Sequence, residues 1–203
     1  MIDSIIFDLD GTLWDSTGQV PAAWNQVLEG RSDVAFRASK RNLRQLFGLP
    51  LPVIASIIFP ELPRKEQLAL MDACCESEHH YLLRHPGTLF PGVRETLPAL
   101  AQRYPLYIVS NCEGGYIEVF LEATGLAPYF QGHLCPGDTG LYKAENLRRL
   151  AQEHQLSYPV YLGDTAGDEE ACREACIPFL FASYGFGTPY SSSDLSLIHI
   201  FTV

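Results

Sequence analysis

Ile5-Ile6-Phe7-Asp8-Leu9-Asp10-Gly11-Thr12 decides how the rest of the chain is read. Its apolar start is too short for a helix and runs into a glycine turn signal, which predicts a buried parallel strand with two acids at its carboxyl end. Strand side chains repeat every second position, so Asp8 and Asp10 face one side unless the turn has already begun. Two like charges crowded there are costly without a cation. Taken alone, the pair reads best as a solvated turn; a metal-assisted site, in which one carboxylate attacks and the other moves a proton, is the alternative.

Working outward, further short apolar runs predict strands at 106–109, 134–135, 160–162 and 179–182, with an edge strand at 195–201 after the linker-like Ser191-Ser192-Ser193. Helical spacing lies between them, at 93–104, 116–124, after Lys143 and at 168–176. Strands alternating with helices mean a parallel sheet covered on both faces, an α/β fold. Ligands in such sheets sit beyond the carboxyl ends of the strands, where strand order reverses. Asp8, Asp10, Ser110, Asn111 and Asp164 all fall at such ends.

The stretch after Leu13 has a different character. Val20, Ala23, Trp24, Val27 and Leu28 recur at three and four, and Pro21 suits a first helical turn. Gly30, Gly48-Leu49-Pro50 and Pro60 to Pro63 separate further helices at 35–47, 53–59 and 64–83. An all-helical cap domain at 16–86 is therefore expected, inserted into a core of 1–15 and 87–203, with hinges at 14–17 and 85–87.

With 203 residues, 47% of them apolar, the chain can bury one good core. A net charge of −10 argues against a nucleic-acid backbone or an anionic membrane as partner. The six cysteines lack metal-ligand spacing and read as free thiols of a reducing cytosol. The longest apolar run, 53–59, is too short to span a bilayer, and Asp3 leaves no room for a secretory signal, so a cytoplasmic location is expected. Only Lys40, Lys65 and Lys143 are lysines.

Asp8-Leu9-Asp10-Gly11-Thr12-Leu13, then Ser110-Asn111, then Lys143, then Gly163-Asp164-Thr165-Ala166-Gly167-Asp168 resemble the four ordered motifs of the haloacid dehalogenase superfamily. Phe47-Gly48-Leu49-Pro50, Phe90-Pro91-Gly92 and Tyr184-Gly185 resemble its phosphoglycolate-phosphatase-like members with a small helical cap. The resemblance implies a Rossmann-like three-layer core and a magnesium-dependent phosphatase acting on a small phosphorylated metabolite. It assigns Asp8 as the nucleophile that becomes an aspartyl-phosphate and Asp10 as the acid and base. Mg2+ would take the Asp8 and Asp164 carboxylates and the Asp10 carbonyl. The implied phosphate-binding set is Leu9, Gly11, Thr12, Ser110, Asn111 and Lys143, with Asp168 behind, orienting a metal-bound water or Lys143. One departure is Lys143-Ala144, where many relatives carry proline after the lysine.

Each motif has a plainer reading: Ser110-Asn111 as a turn, Asp164-Thr165 as a helix cap, Asp168 as a favourable first-turn charge, Lys143 as solvated. Four such coincidences in the right order are less probable than one site. His79, His80 and His85 read as satisfied rather than metal ligands, Cys112 as a packed thiol, and Arg37, Lys40, Arg41 and Arg44 as a solvated face. A phosphomutase, a phosphonatase using Lys40 or Lys65, and a catalytically silent binding protein are the alternatives. A monomer is expected.

Overall fold

Ser4–Phe7 forms the first strand, β1, at the centre of a five-stranded parallel sheet. The computed structural model describes residues 2–188, so the readings at 191–193 and 195–201 lie outside the described residues. After β1 come β2 (Trp14–Asp15), α1 (Val20–Leu28), α2 (Lys40–Leu46), α3 (Leu51–Ile58), α4 (Arg64–Leu82) and β3 (Thr88–Leu89). Then follow α5 (Val93–Ala101), β4 (Leu106–Val109), α6 (Tyr116–Thr124), β5 (Gly132–Leu134) and α7 (Pro136–Thr139). The remaining elements are α8 (Lys143–Glu153), β6 (Pro159–Gly163), α9 (Ala166–Ala175) and β7 (Phe179–Phe181).

The sheet order is β5-β4-β1-β6-β7, with Phe7 paired to Ile108 on one side and Leu162 on the other. β1 is buried on both faces, and its alternation sorts the core into two layers. Ile5 and Phe7 join Leu106, Ile108, Val160 and Leu162 under α5, α6 and the helices of the 20–82 stretch. Ile6 joins Tyr107, Val109 and Tyr161 under Ala144, Leu147 and Leu150 of α8 and Ala171 and Cys172 of α9. The strand order reverses at β1, between β4 and β6, which places the crevice over Asp8.

Several boundaries differ from the sequence reading. Helix α2 starts only at Lys40, because Ser39 and Asn42 form a reciprocal cap and the Asn25 side chain holds both Ala38 N (2.8 Å) and Ala38 O (2.9 Å), keeping the preceding backbone out of helix. Helix α5 stops at Ala101, and 102–104 is a turn. Of the expected hinges, Trp14 and Asp15 lie in β2, which pairs antiparallel with β3, Trp14 against Leu89 and Asp15 against Thr88, and 85–87 leads directly into β3.

Candidate active site

The carboxyl end of β1 delivers Asp8, 1% exposed, to the centre of the crevice. The first residue of α8, Lys143, is 4% exposed and places Nζ 2.9 Å from Asp8 Oδ1 and 2.5 Å from Asp168 Oδ1. Tyr161 of β6 donates its hydroxyl to Val109 O at 2.8 Å and stands 3.3 Å from the same two carboxylate oxygens. Two carboxylates around one ammonium in a dry place hold Lys143 above the usual range despite burial. Burial, opposed by Lys143 and reinforced by Asp168, pushes the Asp8 carboxyl up to about 6. Asp168 stays below its ordinary value in spite of burial, because Lys143 and Thr165 hold its charged form.

Asp168 is at once site residue and helix cap. Thr165 caps α9 by accepting from Asp168 N, and Asp168 Oδ2 accepts from Thr165 N (2.9 Å), Thr165 Oγ1 (2.7 Å) and Asp164 N (3.2 Å). Asp168 thus closes the capping box of α9 with one oxygen and meets Lys143 with the other.

Asp164, fully buried, is enclosed by two glycine approaches. A Cβ on Gly11, whose φ is +85°, would lie 2.3 Å from Asp164 Oδ2, and one on Gly185 would lie 2.3 Å from Asp164 Cβ. Its Oδ2 accepts from Phe186 N (2.6 Å) and Gly187 N (3.3 Å) of the glycine-rich loop, and burial together with Asp168 and Asp8 still pushes the carboxyl well above its ordinary value.

Asp10 is half-buried. Its Oδ1 accepts from Ser16 Oγ (2.9 Å) and from the hydroxyl of Tyr116 (3.0 Å), and burial pushes its carboxyl up to about 7 against these two bonds. Ser16 and Tyr116 went unnoticed in the sequence, where an aromatic at helical spacing reads as core.

The remaining expected residues divide. Ser110 and Asn111 line the crevice, and Asn111 Nδ2 donates to Gly48 O at 2.9 Å, tying the end of β4 to the loop after α2. Gly11 and Thr12 commit their N–H groups to Trp14 O and Leu9 O, and Leu9 packs its side chain in the core. Cys112 lines the crevice with burial pushing its thiol well above the usual range, so it is a protonated, packed thiol.

His79 reaches Glu113 Oε1 at 2.8 Å. The basic face of α2 is not wholly solvated: Lys40 pairs with Asp15 at 3.2 Å, and the Arg44 guanidinium sits 4.9 Å from the Phe186 ring centre.

Phe47, Gly48, Leu49, Leu51 and Ile54 close the crevice from above, enclosing about 440 Å³ of solvent-connected space over Asp8 and Asp10. Beneath it, Asp8, Asp164 and Asp168 bring one oxygen each within 4.8 Å of one another. Three buried carboxylates against a single ammonium leave an excess of negative charge among hard oxygen donors, which fits a small divalent cation. Both Asp168 oxygens already have protein partners, and Asp164 is met at Oδ2 by Phe186 N and Gly187 N and at Oδ1 by Thr12 Oγ1 at 3.5 Å.

The sequence profile of the haloacid dehalogenase-like hydrolases matches residues 5–182. A phosphoglycolate phosphatase from Vibrio parahaemolyticus is 31% identical over 212 residues, covering 95% of this chain and 90% of its own. One from Agrobacterium fabrum is 28% identical over 195 residues, covering 89% and 80%. Among solved structures, a haloacid dehalogenase-like hydrolase from Bacteroides fragilis superposes with a TM-score of 0.80 at 20% identity, covering 94% of this chain and 95% of that one. Another, from Streptococcus pneumoniae, gives 0.79 at 24% identity, covering 92% and 87%.

Proposed function

The chain belongs to the haloacid dehalogenase-like hydrolases and is a phosphatase, a hydrolase of phosphoric monoesters, and from that premise we propose that it cleaves a small phosphorylated metabolite, as a phosphoglycolate-phosphatase-like enzyme, through an aspartyl-phosphate on Asp8. The observation that carries this reading is the buried contact of Lys143 with both Asp8 and Asp168 at the mouth of the central strand.

Lys143 and Tyr161 hold Asp8 Oδ1, which leaves Oδ2 to attack phosphorus in line. The phosphorus–oxygen bond to the alcohol breaks as the new one forms, and Asp10 gives its proton to the departing alkoxide. A carboxyl raised toward neutrality suits that task, and the deprotonated Asp10 then takes a proton from the water that releases phosphate and restores Asp8. Ser110 and the backbone at Asn111 position the phosphoryl oxygens. Mg2+ would be held by the carboxylates of Asp8 and Asp164 and the carbonyl of Asp10, and would supply charge neutralisation at those oxygens.

The residues at 16–86 serve as a cap that excludes water from this step. Neither Lys40 nor Lys65 lines the crevice, which favours ester hydrolysis over a lysine-dependent phosphonatase. Among the described residues no helix is long and apolar enough to cross a membrane. Hydrolysis of para-nitrophenyl phosphate tests the proposal: it is expected to require magnesium and to vanish in Asp8→Asn. Wild-type rates in Asp8→Asn would overturn it.

A further inference from the structure

The upper half of the crevice has a chemistry of its own. Its lining combines the apolar Phe47, Leu49, Leu51 and Ile54 with Trp24, Glu78 and Glu113, and contains no lysine, arginine or histidine. Lys143 lies below, engaged by Asp8 and Asp168. Glu113 Oε1 is met by His79 Nε2 at 2.8 Å. Glu78 is different: it comes from α4, is 3% exposed, and its Oε2 accepts from Trp24 Nε1 at 2.5 Å, while Oε1 has no hydrogen-bond partner among the described residues. A buried acceptor on a crevice wall, with a free oxygen, is a place for a ligand's donor.

We propose that Glu78, held by Trp24, is the specificity-determining residue for the leaving group, selecting phosphomonoesters whose alcohol carries an O–H or N–H donor and rejecting those that carry a carboxylate. This rests on the phosphatase reading, keeps the chemistry of the phosphoglycolate-phosphatase-like enzymes and narrows the substrate class away from phosphoglycolate itself. A carboxylate placed there meets Glu78 and Glu113 with no cation to pair with, and like charges in a dry site repel strongly. Burial, with Glu113 beside it, pushes the Glu78 carboxyl well above its ordinary value, yet even a neutral Glu78 gives a ligand carboxylate one proton and no counter-charge. A hydroxyl group pairs with Oε1 as donor or acceptor, and an ammonium favours the charged form of the carboxyl and pairs with it, while the apolar wall covers the carbon skeleton.

The test is the ranking of kcat/KM for the full chain with magnesium on phosphoethanolamine, glycerol phosphate, phosphoglycolate and para-nitrophenyl phosphate. The first two are expected to exceed phosphoglycolate by about tenfold or more, the lower end of what an unsatisfied buried polar group costs. Glu78→Gln is expected to raise KM for phosphoethanolamine more than for glycerol phosphate, with thermal melting to confirm the fold. Should that variant not fold, Trp24→Phe and the wild-type ranking carry the decision. Phosphoglycolate as the best substrate, or an equal effect of Glu78→Gln on all four esters, would overturn the assignment while leaving the phosphatase reading intact. Absence of turnover on all four would overturn that reading, and the subsite with it.

Discussion

Lys143 and Asp8, 135 positions apart, are joined by a 2.9 Å ion pair with both side chains sealed from solvent. Removing the ammonium leaves Asp8 and Asp168 buried together without compensation. Lys143→Met is therefore expected to cost about 3 kcal/mol in urea unfolding and to lower turnover by about a hundredfold or more. Retention of both stability and rate would mean the pair is incidental.

Tyr116 donates to Asp10 and favours its charged form. Tyr116→Phe removes that donor, so the Asp10 carboxyl moves further up and the alkaline limb of the kcat/KM profile shifts to higher pH. A profile that stays in place would remove Tyr116 from the proton-transfer step.

Asp164 carries a raised carboxyl because it is buried in a dry setting where Asp168 and Asp8 crowd it. A cation binding only the folded chain relieves this, and at about a hundred times its Kd it adds about 2.7 kcal/mol of stability. Magnesium is expected to raise Tm for the wild type but far less for Asp164→Asn. Equal shifts in the two proteins would place the ion elsewhere.

Glu78 supplies a pH dependence of folding with a defined sign. Its folded-state pKa lies above the ordinary 4.5, so the stability tied to it is complete below that pH and is lost as pH rises through the folded value. Glu78→Gln removes the titration, and its stability relative to wild type should climb as pH rises above 4.5, by about 1.4 kcal/mol per pH unit while the folded chain keeps the proton that the unfolded chain has released. A difference that stays constant with pH would mean that Glu78 titrates normally.

Gly185 lies so close to Asp164 that a methyl group has nowhere to go: its Cβ would also fall 2.5 Å from Gly11 O. Gly185→Ala is expected to cost about 2 kcal/mol and to weaken magnesium binding by displacing Asp164. Unchanged melting and metal dependence would count against this packing.

What the sequence disclosed, and what it withheld, follow from range. The strand at Ser4–Phe7, the acids at its end and the cap at Thr165 are written in local periodicity and adjacent residues. The contacts of Tyr116 with Asp10, Tyr161 with Asp8 and Trp24 with Glu78 span 106, 153 and 54 positions, and each aromatic fits a core pattern equally well, so nothing local marks it as polar machinery. The late start of α2 is written in the capping pair Ser39 and Asn42, which outweighs the apolar spacing upstream. The two-residue strands β2 and β3 are too brief for any alternation to register.

That small antiparallel pair has a mechanical consequence. It stitches the chain's exit toward the helical stretch to its return, Asp15 beside Thr88, so the two crossings between sheet and helices are held side by side as one joint. Ser16, the first residue past that joint, donates to Asp10 Oδ1, so the carboxylate at the end of the first strand is tethered to the very point where the helical stretch departs.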